Sequence, residues 1–481
     1  MDRAPAVKEA SSADATCRLA AHIAGQRYEF LPASAKHAFR RVLLDFVTCA
    51  ISGSAMPVSR ALLSYYEASD ATRSATAIGS GVTLSAPNAA LVNGANVHGL
   101  DFDDGHTEGS AHPAGAVLPA VLAAAEQHGA NAKAVILATV IGYDVMLRIA
   151  AAMHPESARR GFHNTAIAGV FGAAAAVSSM LGLDAVRSAH ALGLAGSFAA
   201  GTRTYLEEGA DVKRLHPGKA ARDGLLCAEF AQLGITGPSR ILEGRYGFFA
   251  THAGDSIKWA RLFEALGQRF EIENVYFKPY PCCRHYHAAI DGILELRAAH
   301  GLRAHDVERM ALGLYAVGVN GHDHKHCNTL LDAQMSAPCA AALALVDGKV
   351  AASQFLPESL DRPEVRALLA RIDTHVDSQC EGIYPGRRSG AVHIVLRDGR
   401  RLERRVLDPK GETANAMSDA DLEDKFRANC EPLIGRARCD EALRHLARFE
   451  ALKSVRDVLR SLAHVIPSNG VPGVSPSPPI G

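Results

Sequence analysis

Acidic and imidazole side chains are concentrated between residues 93 and 113, in the glycine-punctuated stretch NGANVHGLDFDDGHTEGSAHP. Carboxylates and imidazoles are the side chains that most often accept and donate protons in catalysis. If a helix continues through this stretch as far as Asp104, then His98, Asp101 and Asp104 share roughly one of its faces and Asp103 points elsewhere. The stretch is therefore a candidate for acid–base chemistry.

Two other roles remain open for these acids. Asp101, Asp103 and Asp104 could bind a divalent ion, although Thr107 occupies the last position of the DDxxD pattern that binds magnesium diphosphate. Asp103, Asp104 and Ser110 could instead cap helices. We expect no metal site here.

A further histidine, His163, lies in the segment RGFHNTA, directly before a long uncharged stretch that is typical of a helix. The positive end of a helix lowers the pKa of a histidine, which favours the neutral imidazole that a general base requires. His163 is therefore a candidate base, and a buried structural histidine is the alternative.

Cations are concentrated in the segment KRLHPGKAA at residues 213–221, which includes Lys213 and His216. We interpret this segment as a basic loop that runs into an alanine-rich helix. Such a helix N-terminus attracts anions, and neighbouring cations add to the effect. The alternative is a solvated basic surface.

A fourth cluster, FKPYPCCRHYH at residues 277–287, contains Lys278 and two prolines that restrict the backbone. Burial is the expected state of Cys282, because the spacing matches no zinc or iron–sulfur pattern. Cys283, next to Arg284 and His285, could have a lowered pKa.

Composition limits the class of partner. Lysine plus arginine and aspartate plus glutamate both number 51, so the chain has no overall field that would hold a nucleic acid or a membrane. The ten cysteines form no C-x-x-C motif, and acidic residues interrupt the N-terminus. We expect reduced cysteines, a cytoplasmic protein and a small-molecule partner.

The elements that position these clusters differ between the two halves of the chain. Alanine-rich, helix-favouring segments dominate the first half, and residues 165–183 carry no charge, which predicts a buried helix rather than a membrane span. Strand-like alternation appears at residues 307–319 and 391–406, and a D-G pair at residues 398–399 suits a hairpin turn.

The fold class that follows is mainly α. We predict a large all-helical domain built from both chain ends, with a smaller inserted α/β lid domain. The expected limits are residues 1–268 and 407–463 for the helical domain and 269–406 for the lid. Residues 464–481, rich in proline, glycine and serine, are expected to be disordered.

The motifs HGLDFDDGH, RGFHNTA, KRLHPGKAARDG and FKPYPCCRHYHAAID, in this order and at these separations, resemble those of the MmgE/PrpD family. The resemblance implies a homodimer, with each active site between a helical domain and a smaller inserted domain. Members of the family dehydrate 2-methylcitrate, decarboxylate cis-aconitate or epimerise iminodisuccinate. They use no metal or organic cofactor.

The resemblance also implies roles for particular residues. It places in the pocket a catalytic set consisting of Asp101, His112, His163, Lys213 and Lys278. His163 is the first choice for the base or acid, with Asp101 orienting an imidazole or moving a proton itself and His112 as the second proton carrier. Substrate binding is assigned to four further residues: Arg284, His216, Cys283 and Asp104.

Two departures from the family pattern bear on the reaction. Cys283 stands where the animal cis-aconitate decarboxylase has a histidine, and the acidic loop is one residue longer, with Gly105 in place of a threonine. We therefore expect a metal-independent lyase that dehydrates a 2-methylcitrate-like substrate. A cis-aconitate-type decarboxylase, an epimerase of a dicarboxylate and a non-catalytic carboxylate-binding protein remain alternatives.

Overall fold

The structure is a computed structural model, and it describes residues 14–462 except residue 453. The predicted disordered tail lies outside the described residues. In the first half, the long helices are α1 Ala15–Gly25, α2 Ala33–Ser54, α3 Pro57–Ser69, α4 Ala86–His98, α5 Ala114–His128, α6 Ala132–Met153, α7 Asn164–Met180, α8 Ala185–Phe198 and α9 Val212–Gln232. Short helices follow at Phe248–His252 and Trp259–Phe263.

In the second half, the long helices are α10 His287–His300, α11 Ala337–Asp347, α12 Asp419–Ile434 and α13 Arg436–Ala447. The strands are β1 Ala75–Thr76, β2 Thr83–Leu84, β3 Gly105–His106, β4 Val275–Tyr276, β5 Val307–Leu314, β6 Ile372–Val376, β7 Gly390–Leu396 and β8 Arg401–Val406. The mainly α fold class is thus confirmed, with a small sheet in the C-terminal part.

The main sheet has the order β6-β5-β7-β8, with β5 parallel to β6 and antiparallel to β7. The predicted hairpin is confirmed, because β7 and β8 pair antiparallel and Gly399 in their turn has a φ of 87°. The other predicted strand is too long. It ends at Leu314, and a helical turn at Ala316–Val319 follows.

Two hydrophobic cores correspond to the two parts of the fold. The helical core joins residues of α2 and α6 to Phe426 and Cys430 of α12, so both chain ends build it. It extends along the chain to Phe277, and the second core contains residues from Cys282 to Leu396. The helical core resumes at Met417, after the last residue of the second core.

Alanines and glycines let the central helices approach closely. Gly218 of α9 packs against the backbone of α4 at Leu91, and Gly94 of α4 packs against Gly218 and against Gly115 of α5. A Cβ atom at Gly218 would overlap the carbonyl oxygen of Leu91. This crossing holds the C-terminal end of α4 beside the first turn of α9.

The uncharged stretch at residues 165–183 forms most of α7, which is buried from Asn164 to Ser178, as the sequence predicted. Among the described helices, α6 is long and apolar enough to cross a membrane, and α2 with α3 passes the same test as a pair bent by 82°. In α6, 89% of the apolar window is buried inside the protein. Burial of this kind is typical of a core helix.

One expectation about the cysteines is wrong. Cys327 and Cys339 form a disulfide across 12 residues, in the segment that leads into α11. Neither cysteine lies in a motif that predicts this pairing: Cys327 precedes the short helix Leu330–Gln334, and Cys339 lies in the first turn of α11. The eight other cysteines are free.

Candidate active site

A narrow cavity of about 60 Å³ lies between the helical domain and the smaller domain. Seven of the nine residues that the sequence singled out line it: Asp101, His112, His163, Lys213, Lys278, Cys283 and Arg284. The remaining two, His216 and Asp104, lie behind the lining. The four sequence clusters therefore meet at one place, although almost 200 residues separate the first from the last.

The acidic stretch does not continue α4, so His98, Asp101 and Asp104 do not share a helix face. The helix ends at His98, and Asp101 has a φ of 52°, in the left-handed region that residues with a Cβ seldom occupy. The three acids consequently point to different partners. Arg214 of α9 donates to the carbonyl of Gly99, which ties this turn to the neighbouring helix.

The predicted basic loop is also wrong, because residues 213–221 already belong to α9, with Pro217 inside the helix. Glycine and proline weaken helix formation locally, but burial of this segment against α4 and α5 outweighs that preference. Lys213 therefore extends from the first turn of a rigid helix. Its position relative to Asp101 is fixed by the packing of α9 on α4.

Asp101 is shared by two buried lysines. Lys213 Nζ donates to Asp101 Oδ1 at 2.6 Å, and Lys278 Nζ lies 3.1 Å from the same oxygen and donates to the Asp101 carbonyl at 2.8 Å. Because one carboxylate faces two ammonium groups, these three side chains together carry a net positive charge. This charge suits the binding of an anionic ligand.

The charges in this cluster shift one another's pKa values. Burial works against ionisation of Asp101, but the two lysines outweigh it and hold the pKa of that carboxyl well below its usual range. Burial lowers the pKa of Lys213, which Lys278 also repels. For Lys278, burial alone would lower the pKa, but the charge of Asp101 outweighs burial and raises the pKa above its usual value. Lys278 is therefore the more firmly protonated lysine.

His98, which the sequence did not place in the catalytic set, completes this network. Its Nδ1 donates to the Asp103 carboxylate at 2.9 Å, and its Nε2 lies 3.0 Å from Lys213 Nζ. Burial lowers the pKa of His98, so the imidazole is neutral and accepts from the lysine. The carboxylate that orients an imidazole is thus Asp103 rather than Asp101, which was the predicted partner.

His112 has a fixed tautomer. Its Nδ1 donates to the Asp104 carbonyl at 2.6 Å, which leaves the lone pair on Nε2. Burial and the charge of Lys278 lower the pKa of His112 to about 3. A neutral imidazole with an available Nε2 therefore faces the cavity.

His163 begins α7, as the sequence predicted, and its Nδ1 lies 2.9 Å from Nδ1 of His216. One ring must donate and the other accept, so the pair shares a single proton between these atoms. Burial lowers the pKa of His163 well below its usual value, and the charges of His216 and Lys213 act in the same direction. Burial and these charges keep His163 neutral.

Asp104 has a structural role in the described structure. Its carboxylate accepts from the backbone N–H of Ala114 at 3.0 Å and from the hydroxyl of Tyr143 at 2.9 Å. Burial raises its pKa well above the usual value. Asp104 thus supports the start of α5 and, through its carbonyl, the ring of His112.

The inserted domain supplies the opposite wall. Arg284 is paired with Glu412 at 3.0 Å, and its guanidinium lies 4.5 Å from the ring centre of Tyr276. Cys283 Sγ lies 3.8 Å from Nε2 of His322, whose Nδ1 donates to a backbone carbonyl at 2.7 Å. These contacts give Cys283 a basic partner that lies 39 residues away in the chain.

Ligand atoms of His98, Asp103 and His112 lie within 4.8 Å of one another, as do those of Cys283, His285 and His322. The first group is already joined by hydrogen bonds and faces the charges of Lys213 and Lys278, which repel a cation. A third group, His324, His326 and Asp332, in which only His326 is exposed, lies outside the cavity lining. The geometry of the cavity therefore favours an anionic ligand.

Several lining residues were missed by the sequence analysis: Arg203, Tyr205, Tyr276, His285, His322 and Arg388. Tyr276 borders the fourth cluster and His285 lies within it, so both could have been included in the predicted site. Arg388 and His322 lie in segments without any motif, and only the tertiary structure brings them to the cavity.

Comparison with known proteins gives a consistent result. The model of the MmgE/PrpD N-terminal domain matches residues 17–260, and that of the MmgE/PrpD C-terminal domain matches residues 280–448. A cis-aconitate decarboxylase-like protein of Aspergillus oryzae is 28% identical over 453 residues, which cover 89% of this chain and 93% of the relative.

Two further relatives are named cis-aconitate decarboxylase. The one from Homo sapiens is 27% identical over 439 residues, covering 86% of this chain and 87% of the relative. The one from Aspergillus terreus is 26% identical over 454 residues, covering 90% of this chain and 92% of the relative. In each case the similarity extends over nearly the whole of both chains.

Proposed function

Because the chain belongs to the MmgE/PrpD family, we propose that it is a lyase that acts next to a carboxylate of a small di- or tricarboxylic acid. The observation that carries this proposal is the combination, in one cavity, of Lys213 and Lys278 with the neutral imidazoles of His112 and His163. Cations to bind carboxylates and groups to move protons are both required for such a reaction.

The lysines would stabilise the charge that develops during the reaction. When a bond to the carbon next to a carboxylate breaks, the electron pair delocalises towards that carboxylate and gives it enolate-like, dianionic character. Lys213 and Lys278 are held in place by Asp101 before the substrate arrives. They can therefore act without a large rearrangement.

The histidines would move the proton. In the free protein His112 and His163 are neutral, because burial and nearby cations lower their pKa values. A bound polycarboxylate would reverse part of this effect, since negative charge raises the pKa of an imidazole. The same side chain can then accept a proton as a base and deliver it as an acid.

Among reactions of this class, we propose decarboxylation of a cis-aconitate-like substrate as the first candidate. The relatives that match nearly full length carry that name, which favours the decarboxylase alternative over the dehydration that the sequence placed first. Loss of CO₂ would leave an electron pair on an allylic carbon, and a protonated imidazole would supply the proton that ends the reaction.

Dehydration of a 2-methylcitrate-like substrate is the second candidate. It is favoured by Cys283, which stands where the animal decarboxylase has a histidine and changes one wall of the cavity.

A homodimer, a cytoplasmic location and catalysis by side chains without a metal or organic cofactor also belong to the proposal. Light scattering of the purified protein would test the dimer, which predicts twice the chain mass of 50.9 kDa.

The function can be tested by proton NMR in D₂O with cis-aconitate, 2-methylcitrate and iminodisuccinate, each with and without EDTA. Loss of CO₂ or of water that persists in EDTA would support the proposal and choose between the two candidates. Turnover that EDTA abolishes would contradict catalysis by side chains alone. Binding of these acids without turnover would indicate a carboxylate-binding protein instead.

Replacement of Lys213 by alanine should lower kcat/KM by roughly 100-fold or more, because a preorganised cation is lost. His112→Ala should reduce kcat by a similar factor and leave binding largely intact. Lys219→Ala is the matched control, since Lys219 lies on the same helix but pairs with Asp223 and does not line the cavity. Equal activity of all three variants would contradict the assigned roles.

A further inference from the structure

Arg388 is a buried cation without a carboxylate partner. It precedes β7 in the smaller domain, lines the cavity and is only 3% exposed. Its Nη2 donates to the carbonyl of Thr107 at 3.1 Å, and its Nε has no hydrogen-bond partner in the described structure. No ion pair within residues 14–452 or 454–462 neutralises it.

The groups around Arg388 do not supply the missing negative charge. The nearest side chains include the rings of Tyr276, Tyr315 and Tyr384, whose pKa values are all raised by burial, so the hydroxyls stay neutral. Tyr315 is hydrogen-bonded to His285 at 2.7 Å, and Tyr384 to His154 at 2.8 Å. Their hydroxyl groups are thus already engaged.

Glu412 is the acid that acts on Arg388 most strongly, and it too is engaged. It pairs with Arg284 and accepts from the hydroxyl of Thr107 at 2.9 Å. Burial of an unpaired guanidinium is costly, and arginine does not lose its proton at physiological pH. An anionic ligand would remove this cost.

A second cation, Arg203, lies at the same end of the cavity. It lines the cavity, is partly exposed and donates weakly to the carbonyl of Ala158 at 3.4 Å. Burial lowers the pKa of His154 and His285 well below the usual value, and the charges of Arg388 and Arg203 lower both pKa values further. Two arginines therefore make this end positive, while its histidines remain neutral.

We propose that Arg388, assisted by Arg203, binds a second carboxylate of the substrate, remote from the carboxylate at Lys213 and Lys278. This inference rests on the proposed function and makes it more specific. The substrate carries at least two carboxylates, one held by each domain, and monocarboxylates bind weakly. Arg388 determines specificity, and it takes no part in moving protons.

The experiment is titration calorimetry with tricarballylate, a saturated tricarboxylate, and with butyrate as the monocarboxylate. Arg388→Gln should raise the Kd of tricarballylate by about 30-fold or more, because a charge-assisted, bidentate contact is lost in a buried site. Weak binding of butyrate should change little. The matched control is Arg387→Gln, which removes an exposed neighbouring arginine that lies 3.5 Å from Asp408.

Arg203→Gln and Arg388→Lys keep the test decisive if Arg388→Gln does not fold, as judged by circular dichroism. Arg203→Gln should weaken tricarballylate binding by about tenfold, and Arg388→Lys should bind less tightly than the wild type because lysine cannot make the forked contact. An unchanged Kd in these variants would overturn the second-carboxylate site. If the wild-type protein bound no polycarboxylate, the proposed function itself would fail.

Discussion

Cys282 and Cys283 are adjacent in the chain, but their sulfur atoms have opposite environments. Cys282 is fully buried, and burial raises the pKa of its thiol well above the usual value. Burial alone would also raise the pKa of Cys283, but the charge and hydrogen bond of His322 outweigh burial and lower the pKa of this thiol. The pKa of His322 is raised in turn, because Cys283 outweighs the effect of its burial.

Iodoacetamide near pH 7 should therefore label Cys283 at least roughly tenfold faster than Cys282, since the thiolate is the reactive form. Peptide mass spectrometry would measure both rates in one sample. His322→Gln should slow labelling of Cys283 and move its pH midpoint upward. Equal labelling of the two cysteines would show that the His322 contact does not activate the thiol.

The buried neutral histidines should also make stability depend on pH. The pKa of His112 is lowered to about 3 and that of His216 to about 4, mainly by burial, whereas an unfolded histidine titrates near 6.5. Between these values the unfolded chain binds more protons than the folded one. Stability should thus be fully present above pH 6.5 and fall as the pH drops, by up to about 1.4 kcal/mol per pH unit for each histidine.

Thermal unfolding between pH 7.5 and 5 would measure this dependence. The Tm should decrease steadily below about pH 6.5. His112→Asn removes one of the titrating groups and should flatten the slope. A flat Tm across this range in the wild-type protein would contradict the neutral, buried state of these imidazoles.

At the scale of elements, the contact between α4 and α9 sets the distance between Asp101 and Lys213. Gly218→Ala would place a methyl group against the carbonyl of Leu91, where no flexible side chain can move aside. Because the methyl group overpacks this contact, we expect the free energy of unfolding to fall by about 2 kcal/mol or more. We also expect the folded protein itself to be less active, so that activity falls by more than the unfolded fraction accounts for.

Urea unfolding and activity assays would test this effect. Gly25→Ala is the control, because a Cβ there has nothing within 4 Å and alanine favours the end of α1. If Gly218→Ala matched Gly25→Ala in both stability and activity, close packing of these helices would not be what positions the site.

Elements also show how far the sequence could predict the structure. Periodicity and composition predicted the helical first half, the buried α7 and the hairpin of β7 and β8, because local propensity and burial agree there. They failed at the start of α9, and they left open where α4 ends. In both places tertiary packing outweighs local preference, and it turns Asp101 towards Lys213 rather than along a helix face.

The residues of the candidate site also fall into two groups, those that the sequence could predict and those that only tertiary packing brings together. The motif resemblance brought out the residues around Asp101, Lys213 and Lys278, and the family it indicated is confirmed. Arg388 could not be found by such reasoning, since its contact at Thr107 is 281 residues away in the chain. Pairings over that distance depend on the docking of whole domains, which no local pattern encodes.

At the scale of the whole molecule, the C-terminal segment supports the loop that carries Asp101. Lys425 of α12 is 7% exposed, donates to Asp45 at 2.6 Å and to the carbonyl of Phe102 at 2.8 Å, and lies over the Phe102 ring. Phe102 directly follows Asp101. The N-terminal and C-terminal parts of the helical domain are thus joined at the loop that carries Asp101.

Lys425→Met should lower the free energy of unfolding by about 3 kcal/mol, because the buried carboxylate of Asp45 would lose its partner. It should also reduce activity, although Lys425 does not line the cavity. Lys410→Met, which removes an exposed ion pair with Asp421, should cost less than about 1 kcal/mol. Equal costs in urea unfolding would contradict the supporting role of Lys425.

The contact between Lys425 and Phe102 has a consequence for the synthesis of the protein on the ribosome. The nascent chain exposes the histidines and lysines of all four clusters well before residue 425 leaves the exit tunnel. Until then, the loop at Asp101 has its chemical groups but lacks the anchor that fixes them. Prematurely terminated chains would therefore carry every motif of the active site and still be inactive.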